Sequence, residues 1–128
     1  MNTVCIAIAG AIQAVIPATS FTLAWTHSIE KVRWEETYQI TGDRLQLTEA
    51  RIKGSGAGME PPPGAVLADG WWHYRPAIPP LESLRLANSD YADDYTVCWG
   101  GVCKPLAALF GKPAAQGDAT LFPCDRPS

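Results

Sequence analysis

The sequence predicts an all-β fold: a small antiparallel β-sandwich or barrel-like sheet of about seven short strands, with one short C-terminal helix. Three observations point there. From Phe21 onward, apolar residues recur with period two, the repeat of a strand that buries one face. The chain carries 11 Gly and 11 Pro among 128 residues, which favours frequent turns over long helices. Only Pro105 to Phe110 (PLAALF) looks helical, and then for a turn or two. A chain of this length has room for one domain and one core.

Taken in order, the first element is an apolar run from Val4 to Ile16, followed by the turn-prone Pro17-Ala18-Thr19-Ser20. No Asp, Glu, Lys or Arg precedes Glu30. The run is too short for a membrane-spanning helix and suits the apolar region of a signal peptide. Residues 1–18 are therefore expected to be a leader, cleaved after Ala14 or Ala18, or left uncleaved as a membrane tether. The alternative is an N-terminal core strand or buried helix. Met1-Asn2-Thr3 lacks the basic residue usual before such a run, and Cys5 comes too early for a lipoprotein anchor.

Residues 19–112 hold the expected β domain. Phe21, Leu23, Trp25, His27 and Ile29 share one face of a first strand. Val32, Trp34, Glu36, Tyr38 and Ile40 share one face of a second, against Arg33, Glu35, Thr37 and Gln39. Thr41-Gly42-Asp43 is a turn. Leu45 and Leu47 begin a third strand, but Ala50 and Ile52 fall on the opposite parity, which predicts a bulge near Thr48-Glu49. Weaker strands follow at Trp71–Arg75, Ser83–Ala87, Asp94–Trp99 and Val102–Lys104. The long connection Gly54 to Gly70 is a candidate functional loop, and residues 113–128 read as a loosely ordered tail.

Of four cysteines, Cys98 and Cys103 flank a Gly-Gly turn between strand-like residues, which favours a local disulfide. Closing so short a loop adds only ~2 kcal/mol in the chain-entropy model. The spacing suits neither zinc nor a redox CxxC pair. Cys124 is left over, free or competing for the other two. The net charge of −3 gives no reason to expect nucleic acid as a partner. No cofactor motif is present.

Four constellations could carry chemistry. His27 and Ser28 are adjacent, so on a strand they point to opposite faces and cannot act as base and nucleophile together. Ser28 and Glu30 share a face, about 7 Å apart. Glu30, Glu35 and Glu36 lie within seven residues and could line a cation site, although a solvated face partnered by Lys31 and Arg33 is the more ordinary outcome. Gly54-Ser55-Gly56-Ala57-Gly58-Met59 could present backbone N–H groups to an anion; Pro61-Pro62-Pro63 exclude the helix of a dinucleotide site. In Trp71-Trp72 one indole faces the core, and the other could stack on a sugar or a partner surface.

FTLAWTHSIEKVRWEE, EARIKGSGAGMEPPPGA, GWWHYRP, and CWGGVC with PLAAL together resemble the bacterial family called domain of unknown function 1850. The resemblance implies a small periplasmic accessory protein of a TRAP transporter of the TAXI type. Its partner would be the solute-binding protein or the permease. It implies that His27, Ser28, Glu30, Glu35, Gly56 and Gly58 form the family's site. The resulting expectation is a non-enzymatic binding module in which these residues, with Ser55, hold a small carboxylate or a partner protein. The alternatives are a hydrolase using His27 with a nearby glutamate, and a carbohydrate-binding module using an outward tryptophan.

Overall fold

The computed structural model describes residues 2–26, 32–53, 63–86, 95–109 and 118–125. These residues form eleven strands in two antiparallel sheets that share one core. The smaller sheet runs β2-β1-β11-β8, built from β1 (Asn2–Ile8), β2 (Ala11–Ile16), β8 (Leu84–Leu86) and β11 (Ala119–Asp125). The larger runs β10-β9-β3-β4-β5-β7-β6. Its members are β3 (Ser20–Thr26), β4 (Arg33–Thr41), β5 (Arg44–Lys53), β6 (Val66–Ala68), β7 (Trp71–Tyr74), β9 (Thr96–Trp99) and β10 (Val102–Pro105).

The all-β expectation holds, and the four strands beyond the seven expected lie where the sequence pointed elsewhere. The stretch expected to be a leader forms β1 and β2, the core-strand alternative. Val4, Ile6 and Ile8 alternate into the core, while Cys5 and Ala7 on the other face are buried as well. A strand buried on both faces reads as an unbroken apolar run, as a leader does. Ala9 and Gly10 close the β1–β2 hairpin with φ of 53° and 80°, the paired positive values of a tight two-residue turn. The expected loose tail contributes β11, which pairs with β1 from Asn2↔Asp125 to Ile8↔Ala119 and buries Leu121 completely. Cys124 is not left over: it bonds Cys5 across 119 residues. A closure that long is worth on the order of 4–5 kcal/mol in the chain-entropy model. The sixth strand, β6, lies within the segment expected to be loop.

In the larger sheet the alternation is as the sequence indicates. Phe21, Leu23, Tyr38, Ile40, Leu45 and Leu47 point inward against Val4, Ile6, Ile16 and Leu121, and Phe21 stacks on Tyr38 at 5.4 Å. The β4–β5 ladder shifts register between Thr37↔Glu49 and Tyr38↔Leu47, so Thr48 is the bulged residue, and Ala50 and Ile52 return to the inner face. Cys98 pairs with Cys103 across β9–β10 and forms the expected disulfide; Gly100 and Gly101 supply the positive φ of that turn. The expected helix is a 3-10 turn at Leu106–Leu109, its Leu106 fully buried. Reciprocal backbone bonds between Leu45 and Leu81 (2.8 Å each) carry the chain from the larger sheet to β8. Among the described residues no helix is long and apolar enough to cross a membrane.

Candidate functional site

Strand direction decides which ends meet. The β4–β5 turn at Gly42 lies at one end of the larger sheet. The end of β3 at Thr26, the start of β4 at Arg33 and the end of β5 at Lys53 lie at the opposite end, as the pairs Thr26↔Arg33, Trp34↔Ile52 and Lys53↔Trp71 show. This rim is beyond the shared core: Ala50 and Ile52 are buried but stand outside the cluster that joins the two sheets.

At the rim the two faces of β4 differ. On the inner face Trp34, Glu36 and Tyr38 alternate, and Glu36 has Leu23 on one neighbouring strand and Ala50 on the other. The Tyr38 hydroxyl donates to Glu36 Oε1 at 2.9 Å. Burial pushes the Glu36 carboxyl above the ordinary carboxylate range, and the Tyr38 hydrogen bond offsets only part of this. Tyr38 itself is held strongly protonated, by burial first and then by the Glu36 charge. Tyr74, which pairs with the small Ala50, is raised for the same two reasons in the same order. Trp25 stacks on Trp34 at 6.1 Å and on Tyr95 at 5.2 Å, the latter nearly parallel. One carboxyl therefore sits among rings, most of them half-buried and within reach of solvent.

On the outer face, charges meet charges. Glu35 receives Arg51 Nε at 2.7 Å and another Arg51 nitrogen at 2.6 Å on Oε1, and Arg33 lies 3.6 Å from Oε2. Beside them Thr22 and Thr37 share a hydroxyl hydrogen bond of 2.9 Å, and His73 Nδ1 meets Glu49 Oε1 at 3.0 Å. Glu35, Arg51, the two threonines, Glu49 and His73 line a shallow recess of about 170 Å³. The threonine hydroxyls bond each other instead of His73, so the recess has no hydroxyl held by a base as a nucleophile would be. The outward indole is Trp71, but Arg51 lies 4.1 Å over its ring and Lys53 5.1 Å. A sugar would have to displace both cations to stack there.

Of the residues the sequence singled out, His27, Ser28, Glu30, Ser55, Gly56 and Gly58 lie outside the described residues. Glu35 is described, and its carboxylate is committed to two arginines. Among the described residues no group of three or more His, Cys, Asp or Glu could hold a metal ion. Sequence reading passed over Glu36 as part of a solvated face, although its parity with Trp34 and Tyr38 already put it inside. It missed Tyr74 and Tyr95 altogether, since the approach of Tyr74 to Glu36 and of Tyr95 to Trp25 depends on pairing across strands.

A family model described as "Domain of unknown function (DUF1850)" matches residues 21–106, and the chain belongs to this family. No curated protein and no solved structure matches the chain.

Proposed function

We propose that this member of the DUF1850 family is a non-enzymatic binding module of the cell envelope, serving as a periplasmic accessory of a TRAP transporter of the TAXI type. The observation that carries the binding reading is the rim of the larger sheet. A half-buried carboxyl and a set of aromatic rings stand at the sheet end formed by Thr26, Arg33 and Lys53. Aromatic and polar groups converging at a sheet end suit recognition of a ligand or of a partner's side chain.

Export is supported by the two disulfides, which persist in oxidising compartments. In this reading residues 2–16 stay with the mature protein, because cleavage after Ala14 or Ala18 would remove β1 and one partner of the Cys5–Cys124 bond. Cross-linking in whole cells, followed by capture with the transporter's solute-binding protein and permease, tests the assignment. Specific capture of either, with an intact mass that retains Cys5, is the expected result. A cytoplasmic, fully reduced protein that captures neither component contradicts it.

A further inference from the structure

Glu35 and Glu36 are consecutive carboxylates in opposite surroundings. Glu35 is saturated by Arg51 and Arg33. Among the described residues no cation forms an ion pair with Glu36, and its hydrogen-bond partner is a phenol. Trp34 and Tyr38 flank it along β4, and Tyr74 reaches it past the small Ala50. The stacked Trp25 and Tyr95 stand at the next position toward the rim.

We propose that Glu36 and the rings around it form a site for the organic ammonium group of a small amine. The inference rests on reading the rim as a binding surface, and it names the chemistry that its inner face selects. A cation set against ring faces is attracted by their quadrupoles, and more strongly where water is excluded. The carboxylate supplies a negative charge that no cation among the described residues meets. A carboxylate ligand would meet repulsion at this position. A hard metal ion needs several oxygen ligands, and Glu36 is the one carboxylate that the described strands turn to this face. The titratable groups that face the Glu36 charge are Tyr38 on its own strand and Tyr74 on β7; Tyr95, ahead of β9, acts on Tyr38 instead. β3 and β5 present Leu23, Trp25, Ala50 and Ile52, none of which titrates. The ammonium site is therefore formed when Glu36 loses its proton, and ammonium affinity rises with pH.

The test is a tryptophan-fluorescence titration of the full chain with tetramethylammonium and choline, using potassium chloride and sodium acetate as controls. Saturable quenching by the ammonium ions alone is expected, at least tenfold weaker in Glu36→Gln and weaker in Trp25→Leu. Should Glu36→Gln fail to fold, the Glu36 carboxyl carbon shift in the unaltered chain reads the same contact. Quenching matched by potassium or acetate, undiminished in Glu36→Gln, or unaccompanied by a Glu36 shift overturns the site. Capture of transporter components is measured separately, so loss of that association and loss of ammonium binding are distinct results.

Discussion

The two faces of the larger sheet solve one electrostatic problem in opposite ways, and β4 shows both within two residues. Its outer face carries Glu35, whose half-buried charge is met by arginines from its own strand and from β5. Its inner face carries Glu36, whose charge is met by desolvation and one phenol. A paired charge holds a structure together. An unpaired, half-buried one raises the energy of the ionised state and so stands ready for something else.

The largest effect that sharpens the contrast comes from two neighbours on β3. Leu23 is fully buried beside Glu36, and Leu23→Ala should cost about 3 kcal/mol in chemical denaturation. Thr22, on the outer face, loses one hydroxyl contact, and Thr22→Ala should cost about 1 kcal/mol or less. Equal losses would mean that the two faces are not differentiated as described.

Next is Arg51→Met. It strips the main partner from Glu35 and uncovers the Trp71 ring, and should destabilise by about 2 kcal/mol. A neutral result would show that the outer-face charges are solvated and not paired.

The alternation that places these residues was legible in the sequence. Period two put Leu23 and Thr22 on opposite faces of one strand, set Glu36 in line with Trp34 and Tyr38 and opposite Glu35 on the next, and the parity slip marked the bulge at Thr48. The Cys98–Cys103 hairpin was legible because both cysteines and the turn lie within six residues. What was not legible is non-local or ambiguous by composition. β1 has apolar residues on both faces, a pattern it shares with a leader. β11 sits among polar and turn-forming residues and becomes a strand only because β1 and β8 flank it. The Cys5–Cys124 bond spans nearly the whole chain and leaves no local spacing to read. Charge type misled at Glu36: a carboxylate beside another carboxylate looks solvated, and only the pairing of β5 with β7 brings Tyr74 toward it.

The smallest effect on stability is the most diagnostic in its pH dependence. A carboxyl raised in the folded state stabilises most when protonated, and that contribution is lost as pH rises through its folded-state pKa. Glu36→Gln keeps an oxygen to accept the Tyr38 hydrogen bond and removes the charge. The melting temperature of the variant should therefore equal or exceed that of the unaltered chain at neutral pH, and this advantage should vanish in acid. A variant less stable at neutral pH than in acid, relative to the unaltered chain, would mean that the ionised carboxylate has a stabilising partner.

The most direct measurement is the titration of the Glu36 side-chain carboxyl by carbon NMR. Its midpoint should lie above the ordinary glutamate value of about 4.3 and move higher still in Tyr38→Phe, where the hydrogen bond that favours ionisation is gone. A midpoint at or below the ordinary value would place Glu36 in water or beside a cation, and would contradict the desolvated inner-face carboxyl on which the binding site depends.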